Sequence, residues 1–196
     1  MPIPDAPTRV IILHGAHGGP DTNWFPDLHQ QLEARGLEVL RPRFPTPEGQ
    51  SLAAWLEVHD RAVAGLPPAA EILVGHSLGA AFALRLAERR DRPLAGLFLV
   101  AGFLGALGLP DYDPINASFF ETAPDWTHLR DMKGPAAHCW AADNDPYVPL
   151  ERSQELARQL DSPLTLVPGG GHLGSEYREF PQVRDAVLAA AETRPV

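Results

Sequence analysis

Gly75-His76-Ser77-Leu78-Gly79 sets a serine between two glycines, directly after the apolar run Glu71-Ile72-Leu73-Val74 and directly before the helix-like stretch from Ala80 to Ala87. Strand, tight turn and helix in that order can push a serine hydroxyl out of the backbone as a nucleophile. Each glycine has a steric reason: side chains two residues before and two after the serine would collide where strand and helix nearly touch. A glycine-rich turn with no chemistry would read the same way, so the serine needs partners.

Serine is a poor nucleophile at neutral pH unless a base takes its proton and a third group orients that base. Two later segments carry such groups, each at the end of an apolar run. Ala142-Asp143-Asn144-Asp145-Pro146-Tyr147-Val148-Pro149 offers carboxylates, and Pro168-Gly169-Gly170-Gly171-His172 offers an imidazole. His172 is the candidate general base. Asp145 is the candidate orienting acid, favoured over Asp143 because Pro146-Tyr147-Val148-Pro149 follows it and steers the chain into the next helix. An oxyanion would need two preorganised N–H donors. The backbone of Leu78, at the start of the helix after the serine, is one; the loop His14-Gly15-Ala16-His17-Gly18-Gly19 supplies the other, with Ala16 ahead of His17. His14 and His17 lack an acidic or cysteine partner at metal-binding spacing, and no closing glutamate completes a calcium loop after Asp143. No metal and no cofactor is expected. His76 and His138 read as packing residues.

Apolar runs alternate with amphipathic ones, which predicts parallel strands joined by helical crossovers. Strands are predicted at 9–13, 37–40, 71–74, 94–100, 136–141 and 164–167. Helices are predicted on Trp24, Leu28 and Leu32, on Leu52 to Leu66, after Ser77, at 150–160 and from about Pro181 to Ala191. About residues 104–134 have no clean period and carry Tyr112, Phe119, Phe120 and Trp126, so they read as a cap-like insertion that either packs over the sheet edge or walls a pocket. The expected architecture is a three-layer α/β/α sandwich of about six parallel strands, with residues 1–196 forming one domain.

Composition narrows the classes. A chain of 196 residues is large enough for a single well-buried core. Sixteen basic against 25 acidic residues give a net charge of −9, which disfavours nucleic acid and anionic membranes as partners. The start Met1-Pro2-Ile3-Pro4-Asp5-Ala6-Pro7 lacks the basic and apolar regions of a signal peptide, and no apolar run is long enough to span a bilayer, so a cytoplasmic location is the default. The lone cysteine, Cys139, sits in an apolar run and reads as an inert core residue.

Together these residues resemble an α/β-hydrolase, and the short chain resembles the compact retinoblastoma-binding serine hydrolases and their bacterial relatives. The likeness runs over nearly the whole chain: the opening strand with its glycine loop, Trp24 and Leu28, the Pro42 to Pro47 segment, the serine pentapeptide, Asp145-Pro146-Tyr147-Val148-Pro149, and Gly171-His172. It implies Ser77, Asp145 and His172 as a catalytic triad. Asp27 stands where such proteins often have a second tryptophan, and Ala16 where some have asparagine. The function implied is hydrolysis of a small carboxylic ester through an acyl-enzyme. The same machinery serves thioesters and aminopeptidase-type amides, and a non-catalytic partner-binding protein could retain the same fold. A dehalogenase is disfavoured, because that chemistry needs a carboxylate at position 77.

Overall fold

The computed structural model describes residues 7–193, and the segment Met1–Ala6, which bears on the question of a leader, lies outside them. Six parallel strands, β1 (Thr8–Leu13), β2 (Glu38–Leu40), β3 (Ala70–His76), β4 (Gly96–Val100), β5 (Ala136–Ala142) and β6 (Leu164–Val167), form one sheet in the order β2-β1-β3-β4-β5-β6. Every residue of β1 and of β4 is buried. Inner strands of a parallel sheet are covered on both faces, which is why they appear in the sequence as unbroken apolar runs. Edge strand β2 has only three residues, and the other edge strand, β6, leaves Leu166 exposed.

Alternation along the strands divides the interior in two. Val10, Ile12, Ile72, Val74, Phe98 and Val100 face α1 (Phe25–Glu33) and α7 (Pro181–Glu192), together with Trp24. Ile11, Leu13, Leu73, Leu97 and Leu99 face the opposite layer, made by α2 (Leu52–Val63), α3 (Leu78–Glu88), α5 (Trp126–Met132) and α6 (Leu150–Leu160). The chain first steps from β1 outward to β2, then returns past β1 to β3. Crossovers of one hand must then change faces at the reversal, which is what the two cores display.

Trp24 and Trp55 are wholly buried, and a large apolar side chain buried in this way contributes roughly 1.5–3 kcal/mol. Each indole N–H still needs an acceptor. Trp55 donates to Pro45 O at 2.8 Å and Trp24 to Leu173 O at 2.9 Å, so both anchors fasten a loop at the carboxyl edge of the sheet.

The aperiodic insertion is more ordered than its sequence suggests. It contains α4 (Asp113–Asn116), a 3₁₀ turn (Ala117–Phe119) and α5. With four and seven residues, α4 and α5 are too short to display a 3.6-residue period. Local polar contacts mark them instead: the carboxylate of Asp113, the first residue of α4, gathers the N–H groups of Leu107, Gly108 and Leu109 from the loop before it, and Asp125 caps α5 by accepting from His128 N–H. Phe119 plugs the insertion into the core against Trp55 and Phe82. No helix among the described residues is long and apolar enough to cross a membrane.

Candidate active site

Sheet order reverses between β1 and β3, and ligands in open α/β sheets bind beyond the carboxyl ends of strands at such a switch point. Ser77 stands there. Its backbone is left-handed, φ 56° and ψ −125°, a conformation that costs a non-glycine residue about 1–3 kcal/mol. Ser77 N–H donates to Val100 O at 2.9 Å on the adjacent strand, and Ser77 O accepts from Ala80 N–H at 2.9 Å, which fixes the turn. A Cβ on Gly75 would lie 2.7 Å from Ala80 Cα, and one on Gly79 would run into the carbonyl oxygens of Leu13 and His14. Gly15 makes a third close approach: a Cβ there would lie 2.8 Å from Ser77 Cβ, so the loop after β1 runs directly against the serine.

Asp145 and His172 meet across two loops. His172 Nδ1 lies 2.8 Å from Asp145 Oδ2 and 3.0 Å from Oδ1. A carboxylate only accepts, so Nδ1 carries the proton and Nε2 keeps its lone pair. The Asp145 side chain is 2% exposed, and its Oδ1 also accepts from Tyr147 N–H at 2.9 Å and Val148 N–H at 3.0 Å. Asp143 points elsewhere: its Oδ1 accepts from Gly169 N–H, while Asn144 Oδ1 accepts from Gly171 N–H, both at 2.8 Å. Those two contacts zip the acidic loop to the glycine loop. No hydrogen bond joins Ser77 Oγ to His172 in this structure; such contacts commonly tighten when substrate binds.

Two residues that the sequence reading passed over hold His172 in place. His76, the neighbour of Ser77, donates from Nε2 to His172 O at 2.9 Å, with the two rings 4.8 Å apart. Glu176 accepts from His172 N–H at 3.2 Å and from Gly174 N–H at 2.9 Å. Burial alone would raise the Glu176 carboxyl, but the N–H groups of Glu176 itself, Gly174 and His172 outweigh it and hold the group below its ordinary value. The next carbonyl, Leu173 O, takes the Trp24 indole, and Leu173 itself is left-handed at φ 51°. The base is thus gripped at its backbone N–H, its carbonyl and its ring. A glutamate four residues after a loop histidine is the one local signal for Glu176; the His76 contact spans 96 residues and has none.

The N–H groups proposed for the oxyanion differ in availability. His17 N–H donates to Thr46 Oγ1 at 2.7 Å and is occupied. Among the described residues no protein acceptor engages the N–H of Ala16 or of Leu78, which opens α3. His14 supports the loop. Its Nε2 accepts from Phe44 N–H at 3.0 Å, which leaves Nδ1 to donate to Gly15 O at 2.8 Å. Among the described residues no group of three or more His, Cys, Asp or Glu side chains is arranged to hold a metal. Cys139 lies in the core, its thiol pushed up to about 12 by burial.

An aromatic rim bounds the site. The rings of His17 and Tyr112 are 5.0 Å apart, those of Tyr112 and Tyr147 5.6 Å, and those of Tyr147 and His172 4.9 Å. Tyr112 belongs to the insertion, so that segment reaches His17 and Tyr147 as well as packing over the sheet edge.

Buried neutral imidazoles make stability depend on pH. Burial, and then the charge of His172, push His76 down to about 3, and burial likewise lowers His14 and His59. The unfolded chain takes up these protons near pH 6.5 and the native state does not, so stability falls as pH drops through the window from 6.5 to about 3. Asp60 acts in the same sense: hydrogen bonds from Arg89 lower it to about 2, and its contribution is lost below 3.8. At about 1.4 kcal/mol per pH unit, His76 alone should remove roughly 3 kcal/mol between pH 6.5 and pH 4. Urea unfolding at several pH values would show it, and a flat profile across that window would contradict it.

A family model described as Serine hydrolase matches residues 10–189. The YdeN protein of Bacillus subtilis (strain 168) is 30% identical over 202 residues, covering 95% of this chain and 98% of its own. Serine hydrolase RBBP9 of Rattus norvegicus is 27% identical over 196 residues, again covering 95% of this chain and 98% of its own. The crystal structure of the ydeN gene product superposes with a TM-score of 0.82 at 28% identity, covering 95% of this chain and 100% of that one. Matched along almost its entire length by the family model, and alike in fold to a relative at this identity, the chain belongs to the serine hydrolase family and has an α/β-hydrolase fold.

Proposed function

We propose that this serine hydrolase cleaves small carboxylic esters through an acyl-enzyme carried by Ser77, His172 and Asp145. The observation that supports the roles best is the Asp145–His172 contact, which leaves His172 Nε2 bare on the loop that His76 fastens beside the elbow. In the first half, Ser77 Oγ bonds to the ester carbonyl carbon while His172 Nε2 takes its proton. The negative charge that forms on the carbonyl oxygen is met by the N–H groups of Leu78 and Ala16. As the tetrahedral intermediate collapses, the carbon–alkoxy bond breaks and His172 returns the proton to the departing alcohol. Water then repeats the sequence, frees the acid and restores Ser77 Oγ–H. No cofactor enters these steps. The rim of Tyr112 and Tyr147 beside His172 favours small or planar groups on the leaving side.

Labelling the folded protein with a fluorophosphonate probe tests the reading, with hydrolysis of a panel of p-nitrophenyl esters, thioesters and aminoacyl amides as the second arm. Covalent labelling that vanishes in Ser77→Ala, with short-chain esters turned over fastest, is the expected result. Faster thioester or amide turnover would move the substrate class while keeping the machinery. Absence of labelling would overturn the enzyme reading in favour of a partner-binding role.

A further inference from the structure

We infer that Glu176 and His76 are positioning residues for the general base: they fix the two peptides that flank the Cα of His172 and so set where its Nε2 stands relative to Ser77. The inference rests on the hydrolase reading above and assigns that site two residues outside its triad and oxyanion donors.

Each peptide is planar, so the planes on either side of a Cα determine the direction in which its Cβ leaves the chain. The plane before His172 contains its N–H, which Glu176 Oε1 accepts at 3.2 Å. The plane after it contains His172 O, which takes the N–H of His76 Nε2 at 2.9 Å. Asp145, at Nδ1, then orients the ring. With both planes and the ring held, Nε2 has one position. His76 defines that position relative to the nucleophile, because it ends β3 and directly precedes Ser77. Glycines make room for both residues. A Cβ on Gly171 would lie 2.6 Å from Glu176 Oε1 and 3.0 Å from its Cδ, so the carboxylate rests against the loop backbone. A Cβ on Gly174 would lie 3.3 Å from His76 Cε1, so the imidazole is seated nearly as closely.

The turn after the base calls for a carboxylate. Glu176 accepts His172 N–H with Oε1 and Gly174 N–H with Oε2, the latter at 2.9 Å. An amide has one acceptor oxygen, so a glutamine there could serve one N–H while its NH₂ group faced the other. Charge matters as well. His172 becomes an imidazolium as it takes the Ser77 proton, and a carboxylate on its backbone favours that cation. His76 has to stay neutral for the same reason, since its ring lies 4.8 Å from that of His172. Burial beside Trp24 and Phe25 keeps it so. Glu176, by contrast, is exposed, and replacing an exposed side chain costs a fold little. A large loss of rate at that position would therefore come from the base it holds.

Steady-state hydrolysis of p-nitrophenyl acetate by Glu176→Ala, Glu176→Gln, His76→Leu and His76→Gln tests the assignment, with Glu176→Ala and His76→Leu repeated in the His172→Ala background. Misplacing a catalytic group by an ångström can cost about a hundredfold, and a misplaced base slows chemistry without weakening ground-state binding. Glu176→Ala and His76→Leu should each lose about tenfold or more in kcat, with KM within about twofold. Glu176→Gln, which keeps one acceptor, should fall between Glu176→Ala and wild type. His76→Gln, whose amide can still donate to His172 O, should recover most of what His76→Leu loses. Alanine at 172 keeps the backbone N–H and carbonyl that the two residues hold and removes only the imidazole. In that background either replacement should change the residual rate by less than about twofold. A purely structural role would instead lower the unfolding temperature and take the same factor from both backgrounds. Glu176→Ala, at an exposed position, keeps the test decisive even if His76→Leu fails to fold. Unchanged kcat in folded Glu176→Ala, a loss in KM alone, or an equal loss with and without the imidazole would overturn the assignment while the hydrolase reading stood. A wild type that neither hydrolyses the ester nor reacts with a fluorophosphonate would overturn both.

Discussion

Ser77→Ala is expected to lower kcat by about 10⁵ to 10⁶, His172→Ala by a similar factor, and the double variant by little more than either. The three losses converge because the two side chains perform one act. Without the imidazole the hydroxyl keeps its proton, and without the hydroxyl the imidazole has nothing to deprotonate. Alanine suits position 77: it retains the Cβ, hence the same left-handed strain and the same close approach of Gly15, and removes only Oγ. The variant should therefore fold and bind substrate as the wild type does, with the loss in kcat and little of it in KM. A residue of about 10³ to 10⁴ over the uncatalysed rate should survive in all three, supplied by the oxyanion donors and by binding. Initial rates on a p-nitrophenyl ester, with unfolding curves as controls, would check it. Retention of more than about one per cent of wild-type kcat by Ser77→Ala would contradict a serine nucleophile, since a triad member accounts for at least three to four orders of magnitude.

How much of this was legible in the sequence follows from the range of the forces involved. Strands buried on both faces leave unbroken apolar runs, so the sheet could be read, and β6 and α6 occupy the residues expected of them. The turn at Ser77 could be read because its constraint is local: glycine is required where Gly75 meets Ala80 and where Gly79 meets Leu13. Contacts made at long range had no such signature. His76 reads as a core histidine, and it is buried, yet its Nε2–H is committed to His172 O from 96 residues away. Thr46 lies in a proline-rich connection with no motif, and its contact with His17 N–H spans 29 residues. The insertion escaped a periodicity argument because four- and seven-residue helices have no period to detect, though Asp125 carried the cap of α5.

The strained residues follow the same logic of place. Among the described residues six non-glycine residues have positive φ, and His17, Asn23, Ser77 and Leu173 belong to the loops at the carboxyl edge of the sheet. Strain of about 1–3 kcal/mol at each persists only where surrounding contacts over-determine it. Those contacts are visible: Val100 O on Ser77, Thr46 on His17, and the Trp24 indole on Leu173 O. The core of the sandwich thereby holds the site in conformations that the isolated loops would abandon.

Asp145→Asn should lower kcat by about 10⁴, and Asp143→Asn by less than about tenfold. The difference comes from what the backbone lets each amide do. Asp145 Oδ1 accepts from Tyr147 and Val148 N–H, two donors that only an oxygen can satisfy. An asparagine at 145 must therefore leave its oxygen there and turn its nitrogen to the place of Oδ2, 2.8 Å from His172 Nδ1. Nδ1 then meets a donor and has to become an acceptor, which moves the imidazole proton to Nε2 and removes the lone pair that would take the Ser77 proton. The site keeps its shape and loses its base. At 143 the amide oxygen can go on accepting from Gly169 N–H, as Asp143 does, so the loop and the tautomer are both preserved. Parallel kcat measurements on the two variants, each shown to unfold like the wild type, separate the carboxylates; a larger loss from Asp143→Asn would transfer the orienting role to Asp143.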